Sequence, residues 1–356
     1  MRALSFLLAW MLLVAPASAQ FAPPMQGSGV PTYTGPGDIV AYTGWYGLRG
    51  YDAAVAATGS TLAIELRNST SGSTGNFVIL TNGALDIASI TTFDTVDATC
   101  TATGSTTTLT VTSCTGTPAV NDQIFAVGVT NPTTITAIGS CAGGSGTCTM
   151  SQSNTFGSAV TVTFRAALTV PEWYDQTGGG RPLLEGTVAL QPQFLLNCFN
   201  TTLPCLQTTA SANLTSSANF TPNASTVSLS LVGGRLSGTQ SNVGIAESGN
   251  NLNGVSGSTA QWTLRGGASN LNFTQSQAWH ATNGVINGAS TTVQVDGTAT
   301  PGTTTTSTTA GKITSANGST SSVYQYGEAG FLDAAAFSSG NLTSLHTNAS
   351  AYWGTP

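Results

Sequence analysis

Val170-Pro-Glu-Trp-Tyr-Asp-Gln-Thr-Gly-Gly-Gly-Arg-Pro182 is the stretch on which the reading of the fold turns. Trp173 and Tyr174 are large apolar anchors at a strand end, and Asp175-Gln176-Thr177 is a polar turn. The three glycines that follow can take positive φ without a Cβ penalty. An aromatic strand therefore runs directly into a sharp, hydrogen-bonded loop, and loops on rigid scaffolds often carry function. Trp173, Tyr174, Asp175 and Gln176 are accordingly the candidate substrate-binding residues. The plainer reading is that Asp175 only ties its own backbone in an Asx turn. Before this stretch lies a short helical and β opening interrupted by a Thr-rich block; after it the chain reads almost wholly as short β-strands.

The first 19 residues read as a secretory signal. Arg2 gives the positive start, Leu4 to Val14 an apolar run too short to span a bilayer, and Ala17-Ser18-Ala19 a small-residue cleavage site. No later run reaches membrane-spanning length, so a secreted, extracellular or periplasmic protein without a membrane span is expected. The six cysteines agree with an oxidising compartment. They fall in local pairs, Cys100 and Cys114, Cys141 and Cys148, Cys198 and Cys205, which favours three short-loop disulfides among the connectivities open to them. A metal site is disfavoured, because no CxxC spacing occurs and His280 and His346 lie far from every cysteine.

Charged residues make up only 6% of the chain, against about 25% in ordinary soluble proteins. Lys and Arg number eight and the net charge is −6, which excludes a nucleic-acid partner that needs clustered cations. Apolar residues at 40% in alternating patterns argue against disorder.

Residues 20–40 read as a Pro/Gly-rich linker. Residues 41–96 form the first part of the main domain. In it, Ala41 to Thr58 has helical spacing through Leu48, Tyr51 and Val55, with Gly59 as its stop. Strands follow at Thr61–Leu66 and Asn76–Leu80, and a second helix at Ala84–Phe93. Residues 97–165 change character to a Thr/Gly/Cys-rich block with its own strands, at Thr107–Thr112, Gln123–Val127, Thr134–Ile138 and Ala159–Phe164. They read as a small inserted β module. Its run Gly128-Val-Thr-Asn-Pro-Thr-Thr-Ile135, followed by Gly143-Gly-Ser-Gly146, resembles modules of phage tail and bacterial surface proteins. Residues 166–356 complete the main domain. Strands recur there at sandwich or jelly-roll spacing, Asp296-Gly297 signals a hairpin, and Leu342 to Tyr352 reads as a closing helix.

Five motifs then fall in order: Tyr46-Gly47-Leu48-Arg49, Ala63-Ile-Glu-Leu-Arg67, Gly83-Ala-Leu-Asp-Ile87, Trp173-Tyr-Asp-Gln-Thr-Gly178 and Gln191-Pro192. The series, over Ala41 to Phe93 and Leu168 to Phe194, resembles the opening half of the catalytic domain of the arabinofuranosidase B family of secreted α-L-arabinofuranosidases. Trp279-His280, Val293-Gln-Val-Asp-Gly297 and Glu328-Ala-Gly-Phe331 resemble laminin-G-like sandwiches more generally. The resemblance implies a mainly β, concanavalin A-like β-sandwich (jelly roll), with a short N-terminal helical segment and the inserted module. It also implies retaining hydrolysis of terminal L-arabinofuranosyl groups by two carboxylates about 5–5.5 Å apart.

The sequence departs from that pattern where the acids belong. Gln261 stands in the strand expected to carry the Glu, and Thr314-Ser-Ala-Asn-Gly-Ser319 lacks an acid. A neutral amide cannot serve as the carboxylate nucleophile. The substitute catalytic pair is Glu247, in a Gly/Asn-rich loop, and Glu328, read as following a strand and preceding a turn. No cofactor is required. Ca²⁺ is the one ion the laminin-G-like resemblance leaves open. The expected partner is a carbohydrate, either an arabinose-containing polysaccharide or a surface glycan. The alternative is a non-catalytic laminin-G-like carbohydrate-binding or phage-type structural module. His280 reads as a packed or edge histidine.

Overall fold

The computed structural model describes Tyr33 to Pro356, except residues 131, 199–201, 209–211, 222–225, 238–239, 243–245, 248–251, 259–261, 268, 277, 306–310, 316–322 and 334–335. The segment read as a secretory signal, most of the stretch read as a linker, Gln261 and most of the Thr314–Ser319 loop therefore lie outside the described residues. The described chain is mainly β. Its largest sheet has fifteen strands, and the central ones run in the order Leu168–Trp173, Gln193–Leu195, Cys205–Thr208, Val323–Leu332, Val227–Ser237, Trp279–Ile286 and Thr291–Val295. A four-stranded sheet, Gln240–Asn242, Leu252–Ser258, Trp262–Gly267 and Ser269–Phe273, forms a second layer. One buried cluster joins Trp262, Leu264 and Phe273 of that layer to Leu229, Ile286, Tyr324 and Tyr326 of the large sheet. This is a β-sandwich, as expected, with alternate residues of each strand turned into a shared core.

The opening segment differs from its expectation. Only Ala53–Thr58 is helical (α1), capped by Asp52, whose Oδ1 accepts from Val55 N at 2.7 Å, and ended by Gly59 at φ +60°. Gly44–Gly47, expected in the same helix, is a strand paired antiparallel with Val323–Leu332, with Gly44 opposite Phe331 and Gly47 opposite Glu328. Three glycines, at 44, 47 and 50, weaken a helix there. Trp45 and Tyr46, on opposite faces of the strand, both find buried sites. Tertiary pairing thus overrides a helical spacing that was real only in its second half. Ile87–Phe93 (α2) and Ser339–Trp353 (α3) are helical as read, and α3 lays Leu345 and Trp353 onto the sheet, with Trp353 5.6 Å from Trp279 between ring centroids.

The Thr-rich block folds on its own sheet of six strands around its own core of Ala102, Leu109, Val111, Ile124, Val162 and Phe164. Strands Val96–Ser105 and Gly146–Met150 escaped the sequence reading, because their Thr, Cys and Gly residues dilute the apolar alternation. The block leaves and rejoins the main domain at one place. Val96 pairs with Arg165, so the excursion closes on itself, which keeps its closure cost low. Gln123 and Gln193 bind it down: Gln123 Oε1 accepts from Leu196 N at 3.1 Å, and Gln193 Nε2 donates to Asn121 O at 2.8 Å. The disulfides are Cys100–Cys114, Cys141–Cys148 and Cys198–Cys205, the sequential pairing favoured by spacing.

Two acids at this junction are buried, Asp94 and Asp122. Asp122 Oδ2 accepts from Ala119 N at 2.7 Å, and Asp94 lies 3.6 Å from Arg165. Burial pushes each carboxyl up from 3.8 to about 7, against the pull of those partners. A folded-state value above the unfolded one means the folded protein holds the proton more tightly. The stability so contributed is complete below about pH 4 and is lost as pH rises through about 7. Asp122→Asn keeps an oxygen for Ala119 N and carries no charge. Its melting temperature should exceed the wild type's by a margin that widens between pH 4 and 8; a margin independent of pH would show that Asp122 does not titrate in this range.

Candidate functional site

The Trp173–Gly180 loop is fixed from both ends. Trp173 is fully buried and pairs with Ile64 and Leu183, so it is core rather than the substrate-binding residue expected from the sequence. Gln176 is also buried. Its Oε1 accepts from Tyr51 N at 2.9 Å, its Nε2 donates to Gly47 O at 2.8 Å, and its backbone N donates to Trp45 O at 2.9 Å. Both ends of the amide are spent on main chain, which makes Gln176 a bracket between the loop and the first strand. Asp175 Oδ1 accepts from Thr177 N at 3.1 Å, Thr177 Oγ1 at 2.7 Å and Trp45 N at 3.2 Å. The Asx turn is present, and it reaches across to the first strand as well. Gly178 and Gly180 take φ of +78° and +66°, as the glycine run implied. Beside this loop lies an open cleft of about 420 Å³, lined by Tyr51, Asp52, Thr58, Thr61, Asp175 and Thr177 among others.

Tyr174 differs from its neighbours. It is half-buried, its N donates to Ala63 O at 3.0 Å, and its hydroxyl donates to Asn76 Oδ1 at 3.0 Å. Next to it, Glu172 stands directly opposite Glu65 across an antiparallel pair. Facing residues of such a pair have Cβ atoms about 4.5–5.5 Å apart, and like charges there are destabilising. Partial burial first, and the Glu65 charge second, raise Glu172; the neighbouring Tyr174 hydroxyl opposes the rise. Burial and the two carboxylates push Tyr174 to about 12, so its hydroxyl stays a donor. Two acids facing each other, one of them raised above its ordinary value, is the kind of arrangement that two-carboxylate chemistry uses. Neither Glu65 nor Glu172 was singled out from sequence. The signal available was their outward position in two alternating strands, but their facing register depends on a bulge between Thr169 and Glu172 that no local pattern announces.

The catalytic pair named from sequence is placed differently. Glu328 does not precede a turn; it lies inside the continuous strand Val323–Leu332 and is buried. Its carboxylate takes a bidentate pair from Arg49, Nε to Oε2 at 2.5 Å and Nη2 to Oε1 at 2.8 Å. Burial, the largest single influence, pulls Arg49 down, but the Glu328 charge and hydrogen bonds, with Tyr33 and Tyr352, together outweigh it and hold the guanidinium above its usual value. Tyr352 lies against the guanidinium, 5.0 Å from ring centroid to Cζ. The strand backbone at Glu247 pairs with Ile313 at the far edge of the large sheet, seven strands along its order from Val323–Leu332; its side chain lies outside the described residues. Among the described residues no group of three or more His, Cys, Asp or Glu side chains is arranged to hold a metal ion. No helix there is long and apolar enough to cross a membrane.

No sequence family matches the chain, and no curated protein matches it. Solved structures match it in shape. A GH54 α-L-arabinofuranosidase soaked with a cyclic sulfate inhibitor superposes with a TM-score of 0.54 at 10% identity, covering 88% of this chain and 64% of that one. A Glu-to-Gln variant of a GH54 α-L-arabinofuranosidase soaked with 4-nitrophenyl α-L-arabinofuranoside gives 0.55 at the same identity and coverage. An arabinofuranosidase complexed with arabinofuranosyl-α-1,2-xylobiose gives 0.51. The chain thus spans 64% of the length of these structures and shares their fold.

The Arg49–Glu328 geometry makes a direct prediction. Glu328→Gln leaves a buried guanidinium half-paired, and removing one partner of such a pair costs about 3–5 kcal/mol. Chemical denaturation of the variant should show that loss. Native stability in Glu328→Gln would instead free Glu328 for a role in chemistry.

Proposed function

We propose that this is an exported, glycan-directed protein that removes terminal α-L-arabinofuranosyl groups with retention, through the facing carboxylates Glu65 and Glu172. The observation that carries the reading is the facing register of these two acids, with Glu172 raised toward its protonated form. Its setting supports it: the shared fold covers 88% of this chain in structures solved with an arabinofuranoside and with an arabinofuranosyl xylobiose. Glu172 is the acid/base and Glu65 the nucleophile, in the roles retaining glycosidases give to two acids about 5–5.5 Å apart. Tyr174 and Asn76 flank them as hydroxyl and amide partners for sugar hydroxyls. Three disulfides suit an oxidising compartment, as expected for export.

One observation favours a second reading, binding without chemistry. The carboxylates stand half-buried on a sheet face, whereas the cleft of about 420 Å³ lies beside the neighbouring loop and is lined by Asp52, Asp175 and hydroxyls.

The two readings part in one experiment. Turnover of 4-nitrophenyl α-L-arabinofuranoside and of an arabinofuranosyl xylo-oligosaccharide is measured for wild type, Glu65→Gln and Glu172→Gln. Glu65→Gln should abolish both activities. Glu172→Gln should lose about 10²–10⁴-fold on the oligosaccharide, and less on the aryl substrate, whose phenolate leaves without a proton. Activity that survives both substitutions would move the chemistry elsewhere. A folded but inactive wild type that binds the oligosaccharide would establish the binding reading.

A further inference from the structure

Ser276, His280 and Asp296 form a chain of hydrogen bonds on the large sheet, away from Glu65 and Glu172. His280 lies on the strand Trp279–Ile286, which is paired on both sides: His280 faces Gly233 on one neighbour, and Thr282 faces Val295 on the other. Asp296 follows Val295 as the first residue of a two-residue hairpin, at φ +47°, with Gly297 at φ +79°. The turn brings its carboxylate back over the strand. Asp296 Oδ1 accepts from Ala281 N at 3.0 Å, Asp296 N donates to Ala281 O at 3.0 Å, and Oδ2 meets His280 Nδ1. On the other side of the ring, His280 Nε2 lies 3.0 Å from Ser276 Oγ. The His280 side chain is 8% exposed and that of Asp296 16%, while Ser276 is exposed.

The proton positions follow from the donors available. An ionised carboxylate only accepts, so His280 Nδ1–H donates to Asp296. In the neutral ring this leaves Nε2 as an acceptor, and Ser276 Oγ–H donates to it. A hydroxyl donating to an imidazole, whose tautomer and orientation are fixed by a carboxylate, is the signature of an activated serine nucleophile. The signature is recognised by geometry and roles, not by order in the chain. The orienting group is unusually well held here: one oxygen is pinned to the backbone, the other to the ring, and the backbone sits in a left-handed conformation that non-glycine residues rarely adopt.

We propose that Ser276, His280 and Asp296 constitute a second, esterolytic site that hydrolyses carboxylic esters presented from solvent. Ser276 Oγ attacks the ester carbonyl carbon as its proton passes to His280 Nε2. Collapse of the tetrahedral adduct breaks the bond to the alcohol oxygen, which leaves with the proton from His280. Water then attacks the acyl-serine, gives its proton to His280, and the serine oxygen departs and takes that proton back as the acid is released. The balance needs no other reactant. Asp296 does not touch the substrate; it is the positioning residue. Esters fit better than amides, because their alcohol leaves more readily and the attacking serine stands open to solvent.

The test has two readouts. Intact wild-type protein is treated with a fluorophosphonate, which labels only activated serines, and the adduct is located by peptide mass spectrometry. Hydrolysis of 4-nitrophenyl acetate is followed in parallel. Wild type should label at Ser276 and turn the ester over. Ser276→Ala removes one exposed hydroxyl and should lose both. Asp296→Asn keeps an oxygen for Ala281 N, but its amide donates to Nδ1, which moves the ring proton to Nε2 and removes the base. It should lower kcat by about 10²–10⁴-fold with KM unchanged and slow labelling in proportion. Labelling that is absent, or lies at another serine, overturns the proposal. So does ester turnover that persists in Ser276→Ala or is untouched in Asp296→Asn. Arabinofuranoside turnover should be the same in Ser276→Ala and wild type, so failure here and failure of the glycosidase reading are separately visible.

Discussion

The pair between Arg49 and Glu328 is the constraint on which the rest of the sandwich depends. It ties the first strand region to the interior strand Val323–Leu332, which itself pairs with Gly44–Gly47, Cys205–Thr208 and Val227–Ser237. Neither charge could be buried alone. Isolated, each would cost several kcal/mol of desolvation, and the bidentate geometry satisfies both carboxylate oxygens at once. Tyr352 of α3 closes over the guanidinium, and Arg49 Nη1 donates to Asn348 O of the same helix at 3.3 Å. One ion pair thus fixes the start of the described chain, its central strand and its last helix relative to one another.

Gln176 performs the complementary task with a neutral group. The loop after Trp173 meets the first strand at its end, where Leu48 N still bonds Gly327 O but the Tyr51 N–H is left to the loop. A side-chain amide offers a donor and an acceptor in one plane, which suits the Gly47 carbonyl and the Tyr51 N–H. This explains why Asp-Gln-Thr follows the aromatic pair. The motif that looked like a ligand-binding turn is a splice between two segments far apart in sequence, and its cleft is a consequence of their meeting.

Much of the fold was legible because it rests on local signals. The disulfides follow from cysteines seven or fourteen residues apart, the Asp-Gly hairpin from turn chemistry, and the long sandwich strands from alternation. What escaped was set by partners distant in the chain. Gly44–Gly47 reads as part of a helix whose spacing rests on Leu48, Tyr51 and Val55, and it is a strand because Phe331 and Glu328 are there to pair with it. Glu328 reads as an acid near Gly327 and Gly330, yet those glycines sit inside a strand. At Gly330 an added Cβ would meet Trp45 at 2.5 Å, and at Gly327 it would meet Trp353 at 2.8 Å. They are small because aromatic rings pack against them, not because the chain turns.

The same limit applies with more force to the chemistry. Asp296 was read as half of a hairpin dipeptide, and that reading is right. Aspartate is common at such positions because it tolerates a left-handed backbone and bonds locally. Here the local bond goes to Ala281 N, and the geometry that makes it possible leaves the second oxygen facing His280. One residue satisfies a turn and orients an imidazole, and the first use conceals the second from any reading that stops once a local role has been found. Charged side chains are 6% of this chain, so little is spent on generic solvation of the surface. In such a protein an acid facing another acid is a costly placement, and an acid locked onto a histidine is a specific one; placements this particular are the better guide to where the chemistry lies.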